Sequence, residues 1–126
     1  MYIEHVALWV NNIEKMKEFY VRYFQAKPNK IYCNDKGFSS YFLRFNNGCR
    51  LEIMSMKDFE YDKNYIHRQG YIHLAISVGN KDNVVSLTNL LENDGYRIYS
   101  RPRVTGDGYF ESVVLDPEGN QVEITV

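Results

Sequence analysis

The chain has 126 residues, 44% of them hydrophobic, enough for one compact core and too few for two independent domains of ordinary size. With 15 basic and 16 acidic residues its formal charge is -1, so no net field draws it to nucleic acid or an anionic membrane, and a small-molecule partner is expected. No apolar run approaches the roughly 20 residues that cross a bilayer, and the N-terminus lacks a charged and then apolar signal stretch, so the expected location is the cytoplasm.

Residues Ile3 to Val10 alternate and then run apolar like a strand, and Asn11 and Asn12 follow as side chains able to cap a helix. Ile13, Met16, Phe19 or Tyr20, and Tyr23 or Phe24 fall at helical spacing and predict a helix over Ile13 to Phe24, which Pro28 bars from continuing. Strand-like runs follow near Asn29 to Cys33, Ser39 to Phe45 and Cys49 to Ser55, and Asn46-Asn47-Gly48 signals a hairpin turn between the last two. The two cysteines, Cys33 and Cys49, have no metal-type spacing and read as reduced thiols without a role. The polar and aromatic stretch from Met56 to Gly70 lacks periodicity and reads as a connecting loop.

The pattern then restarts. Tyr71 to Val78 reads as a strand, and Asn80 or Lys81 to Asn93 reads as a helix with apolar positions Val84, Leu87, Leu90 and Leu91 and a stop at Gly95. Strands near Arg97 to Ser100, Phe110 to Leu115 and Gln121 to Val126 complete a second β-α-β-β-β unit. The expected fold is therefore α+β, one domain over 1–126 with modules of about 1–56 and 71–126 and a linker over 57–70.

The two halves also match residue by residue. His5-Val-Ala7-Leu-Trp-Val10 lies over His73-Leu-Ala75-Ile-Ser-Val78, and Gly48-Cys-Arg-Leu51-Glu52-Ile53 lies over Gly119-Asn-Gln-Val122-Glu123-Ile124. Each copy carries one His and one Glu at nearly the same separation.

Strand side chains alternate between faces, so Val6, Leu8 and Val10 share one face and His5, Ala7 and Trp9 the other. Leu74, Ile76 and Val78 likewise oppose His73, Leu51 and Ile53 oppose Glu52, and Val122 and Ile124 oppose Glu123. All four polar residues are thus predicted on the side of the sheet that the helices leave uncovered. If the modules combine into one curved sheet, its inner face gathers two imidazoles and two carboxylates, a donor set compatible with Zn²⁺, Ni²⁺, Co²⁺, Mn²⁺ or Fe²⁺. Taken singly, a His or Glu on a strand is more often a solvent-facing or hydrogen-bonded residue. Repetition in matched positions on one face is what favours a metal, and His67, which has no repeat mate, stays an ordinary surface residue.

These residues resemble the vicinal oxygen chelate superfamily, which includes glyoxalase I, bleomycin-binding proteins, fosfomycin-resistance enzymes and extradiol dioxygenases. The resemblance spans the chain and rests on Glu4-His5-Val6-Ala7-Leu8-Trp9-Val10, Thr105-Gly106-Asp107-Gly108-Tyr109 and Asp116-Pro117-Glu118-Gly119-Asn120-Gln121-Val122-Glu123-Ile124. Dioxygenases and fosfomycin-resistance enzymes resemble His5, His73 and Glu123 but do not normally carry a carboxylate at the place of Glu52, whereas glyoxalase I does.

The resemblance implies a metal-dependent lyase acting on the hemithioacetal of an α-ketoaldehyde with a thiol, through an enediolate. Its metal ligands are His5, Glu52, His73 and Glu123, with Glu123 the base and Glu52 completing the shell or facing the other side of the substrate. One divalent ion per site is implied, Ni²⁺, Co²⁺ or Zn²⁺ foremost. Also implied is a homodimer in which each site draws His5 and Glu52 from one subunit and His73 and Glu123 from the other. The alternatives are a thiol transferase of the fosfomycin-resistance type and a non-catalytic drug-binding protein.

Two departures bear on the substrate. Glutathione-using relatives often carry Arg where this chain has Trp9 and Asn where it has Met56, so Trp9 and Met56 imply a more apolar substrate site. Arg103 and Tyr109 are further expected contacts, while Arg50, Arg101 and Arg103 are candidates for a displaced anion contact that are better read as solvated surface positions.

Overall fold

The computed structural model describes residues 4–57, 73–106 and 108–126. The chain divides into two compact units, Met1–Arg68 and Gln69–Val126, and each is described by itself. The predicted linker lies outside the described residues except for Lys57, as do Ile3, His67, Tyr71, Ile72 and Asp107.

In the first unit β1 (His5–Trp9) leads into α1 (Ile13–Phe24), whose predicted bounds hold. The Asn12 side chain accepts a hydrogen bond from the Lys15 backbone N–H at 3.0 Å, supplying the N-cap. At the other end Gln25 adopts φ 55°, and the Ala26 N–H donates to the Tyr20 carbonyl at 3.2 Å, closing the helix with a left-handed turn. Met16, Phe19, Tyr20, Tyr23 and Phe24 form its buried stripe.

One strand expected near Asn29 to Cys33 is instead two short pairings, β2 (Lys27–Pro28) and β3 (Tyr32–Cys33), both against β4 (Phe38–Arg44). The break falls at Asn29, whose side-chain oxygen accepts from the Phe42 N–H at 2.7 Å while its own N–H donates to the Phe42 carbonyl. That side chain takes a bond which a continuous strand would have made with backbone. Strand β4 then pairs with β5 (Arg50–Met56) across a turn in which Gly48 takes φ 88°, a conformation that favours glycine. Met56, expected in the loop, ends β5 opposite Phe38. The five-stranded mixed sheet runs β1-β5-β4-β2, with β3 on β4 and β1 parallel to β5.

The second unit repeats the plan with β6 (His73–Ser77), α2 (Lys81–Asn93), β7 (Ile98–Val104), β8 (Phe110–Leu115) and β9 (Gln121–Thr125), in sheet order β6-β9-β8-β7. Strand β6 is parallel to β9. Asn80 caps α2 through a 2.8 Å bond from the Asn83 N–H. Strand β7 runs on past the expected Ser100 to Val104, and its Pro102 is tolerated because β7 is an edge strand with register shifts against β8. In the β8–β9 turn, buried Asp116 accepts bonds from the N–H groups of Glu118 and Asn120, both at 2.9 Å. That turn sets where β9, and hence Glu123, begins.

The strands are hydrogen-bonded as two sheets, one per module, each with a helix against one face. Helix α1 packs on β4 and β5, over Leu43, Leu51 and Ile53; α2 packs on β7, β8 and β9, over Val114, Val122 and Ile124. In α2 the buried positions are Val84, Thr88 and Leu91, whereas Leu90 is 48% exposed, against the sequence reading. Thr88 occupies the core because its hydroxyl is satisfied there, donating to the Val84 carbonyl at 2.6 Å and lying 2.7 Å from Ser112 Oγ. No helix among the described residues is long and apolar enough to cross a membrane.

The packing separates two adjacent leucines. Leu91→Ala should lower the unfolding free energy by about 2–5 kcal/mol through lost burial and a cavity, and Leu90→Ala by less than about 1 kcal/mol. Urea denaturation of both variants measures the contrast, and equal losses would contradict the placement.

Candidate functional site

Parallel pairing fixes the position of each predicted site residue. In the first unit Ala7 lies opposite Glu52 and His5 opposite Arg50, so His5 and Glu52 are diagonal neighbours on one face. In the second, Ala75 lies opposite Glu123 and His73 opposite Gln121, the same relation. Each His–Glu contact thus spans the parallel seam, with an alanine leaving room beside the carboxylate.

His5 Nε2 stands 3.8 Å from Glu52 Oε2, and His73 Nε2 stands 3.4 Å from Glu123 Oε2. Both separations exceed an ordinary hydrogen bond. Nitrogen and oxygen donors at about 2.0–2.2 Å from a tetrahedral ion lie roughly 3.3–3.5 Å apart, so the 3.4 Å pair has the spacing of two ligands and the 3.8 Å pair a slightly wider one. Among the described residues no group of three or more His, Cys, Asp or Glu side chains is arranged so that it could hold a metal ion. The four expected ligands therefore stand as two pairs, one in each unit.

The surroundings of the pairs differ. His5 Nδ1 lies 2.5 Å from Glu4 Oε2, and Glu4 is also ion-paired with Arg50. The hydrogen bond with His5, and then the Arg50 guanidinium, hold the Glu4 carboxyl below its usual range. The Arg50 guanidinium stacks 4.1 Å from the centre of the Phe42 ring, whose edge-to-face partner is His5 at 5.3 Å between centroids.

Around Glu123 the notable neighbour is Glu111 on β8, a residue the sequence reading did not single out. Glu111 is buried, lies beside Glu123, and is held by Arg103 Nη2 at 3.4 Å. Arg103 also donates to Ser100 Oγ at 2.5 Å. Burial, then the adjacent Glu111 charge, push the Glu123 carboxyl above its usual range; His73 and Arg103 pull the other way. The even spacing of Glu111 and Val113, which faces Glu123 across β8–β9, was the available signal, but the unbroken run Val113-Val114-Leu115 obscured it.

The remaining predicted contacts lie as follows. Trp9 shares the His5 face, in register with Met54, and makes an edge contact with Phe38 at 6.1 Å. Met56 pairs with Phe38, and exposed Tyr32 lies 6.2 Å from the same ring. Trp9, Phe38, Tyr32, Met54 and Met56 thus give the first unit's open face an aromatic and thioether character. In the second unit Tyr109 is exposed, and Arg101 is engaged with Glu92 at the surface.

The chain matches the Glyoxalase/Bleomycin resistance protein/Dioxygenase superfamily over residues 2–124 and belongs to that family. Its fold is similar to a glyoxalase I mutant from Zea mays, with 23% identity, TM-score 0.81 and 98% of this chain covered; this chain spans only 44% of the maize protein. It is similar also to a glyoxalase family protein from Enterococcus faecalis, at 25% identity and TM-score 0.78, covering 98% of this chain and 96% of that one. A trypanothione-dependent glyoxalase I from Leishmania major shares 19% identity and TM-score 0.78 over 99% of this chain and 86% of its own.

The raised Glu123 pKa has a consequence for the metal-free protein. The native state holds this proton more tightly than the unfolded chain, so it loses stability as pH rises from about 4.5 through the raised value. Glu123→Gln removes the penalty. The metal-free variant should be more stable than wild type at pH 7, with the gap closing as pH falls toward 4.5. Thermal unfolding at several pH values with a chelator present measures it, and a less stable variant at neutral pH would contradict the assignment.

Proposed function

We propose that this protein is a metal-dependent lyase of the glyoxalase I type, acting on the hemithioacetal of an α-ketoaldehyde with a thiol. The observation that carries the reading is the duplicated His–Glu pair, whose 3.8 and 3.4 Å separations suit donors to an ion better than direct hydrogen bonds. Two donors do not hold a catalytic ion, since such sites take three or four protein ligands. His5 and Glu52 together with His73 and Glu123 would therefore hold one divalent ion, Ni²⁺, Co²⁺ or Zn²⁺, with the two pairs drawn from different subunits of a homodimer. Family membership supports the reading, as do the maize and Leishmania major proteins of similar fold, both named glyoxalase I.

A bound divalent ion would polarise the substrate oxygens and stabilise the negative charge that develops on them. The proton transfer falls to the chain's own carboxylates. Glu123 takes the proton from one substrate carbon and returns it to the adjacent carbon, an isomerisation with no net gain or loss of protons. In the metal-free chain, burial and then the Glu111 charge raise its pKa above that of an exposed glutamate. Glu52 serves on the other side of the substrate. Trp9 and Met56, set beside Phe38 and Met54, favour an apolar thiol over glutathione.

Steady-state turnover of methylglyoxal hemithioacetals by the Ni²⁺- or Co²⁺-loaded protein tests the proposal. Activity is expected to be higher with an apolar thiol than with glutathione, and Glu123→Gln should lower kcat by at least about 10²-fold. No turnover with any cellular thiol at full metal occupancy would overturn it, and thiol adducts of an epoxide antibiotic would point instead to the transferase.

A further inference from the structure

The residue before β1 does more than begin a strand. Glu4 receives the Arg50 backbone N–H on its carbonyl at 2.9 Å, which brings its side chain alongside the Arg50 guanidinium. That guanidinium lies on the Phe42 ring and has its Nε buried without a hydrogen-bond partner, so packing holds the head group while its outer nitrogens meet Glu4. The Arg50 guanidinium is ion-paired with the Glu4 carboxylate, and an ionised carboxylate only accepts hydrogen bonds. The 2.5 Å contact therefore requires the proton to sit on His5 Nδ1. With Nδ1 protonated in the neutral ring, the lone pair is on Nε2, the atom that faces Glu52.

We propose that Glu4, clamped by Arg50, is a positioning residue that fixes His5 as the Nδ1–H tautomer and aims its Nε2 lone pair at Glu52, readying this half of the repeat for a divalent cation. The inference deepens the metal reading above and rests on it for its purpose, although the tautomer itself is a property of the metal-free chain. A carboxylate on the distal nitrogen also raises a histidine's strength as a ligand, and losing such a partner commonly costs 10–100-fold in metal affinity. Phe42 assists by meeting the His5 ring edge to face, which restrains the ring plane. The sequence of the second copy does not repeat the device, since the position before His73 is Ile72, which has no carboxylate to offer. His73 thus serves as an internal control.

Imidazole ¹⁵N spectra of the metal-free protein, at a pH where the rings are neutral, read the tautomer directly. Wild type is expected to show His5 protonated at Nδ1. In Glu4→Ala the ring should move toward the Nε2–H form that a free histidine prefers in water, with His73 unchanged. Zn²⁺ titration against a chromophoric chelator should give 10–100-fold weaker binding for Glu4→Ala than for wild type. An Nε2–H tautomer in wild type, or a Glu4→Ala protein with the same tautomer and Zn²⁺ affinity within twofold, would overturn the proposal. If wild type binds no Zn²⁺, Ni²⁺ or Co²⁺, the lyase reading fails, while the two ¹⁵N spectra still decide the role of Glu4.

Discussion

The parallel pairing of the first and last strand within each module is the constraint on which the site depends. In both modules it sets an alanine opposite the glutamate and the histidine one diagonal step away. A slip of one residue would send all four polar side chains into the aliphatic faces beneath α1 and α2. The buried rows Leu51 and Ile53, and Val122 and Ile124, prevent that slip, so the core and the site are set by the same register. Parallel neighbours need a long crossover, which the helix and intervening strands of each module provide.

On this shared frame the two copies have diverged. The first surrounds its histidine: Glu4, Arg50 and Phe42 are all arranged about the His5 ring. The second surrounds its glutamate, with Glu111 and Arg103 set about Glu123 and the carboxyl pushed toward its protonated form. This asymmetry accords with the proposed reaction, in which one carboxylate acts as base while its counterpart mainly binds.

Much of the fold was legible because it is local. Period-two alternation placed His5, His73, Glu52 and Glu123 on the faces the helices leave uncovered, and Asn12 and Asn80 marked the helix starts. What was not legible depends on partners distant in sequence. Thr88 enters the core because Ser112, on a strand yet to come, offers its hydroxyl. Asn29 splits a strand because Phe42 lies opposite it. Glu111 acquires meaning only through the β8–β9 register, and Arg50, which by itself reads as a surface residue, does so only once Glu4 and Phe42 flank it. The aromatic and thioether character around Trp9 was legible in outline from Trp9 and Met56, but Phe38 and Tyr32 join it only through strand pairing.

Under the proposed function, two His–Glu pairs, each too small to hold a catalytic ion alone, act as one donor set. This is tested most directly by measuring bound divalent metal per chain, by elemental analysis after dialysis against Ni²⁺ or Co²⁺, in wild type and in His5→Ala and His73→Ala. About one ion per chain is expected in wild type, with its loss in either variant. Retention of wild-type metal content by either variant would contradict it.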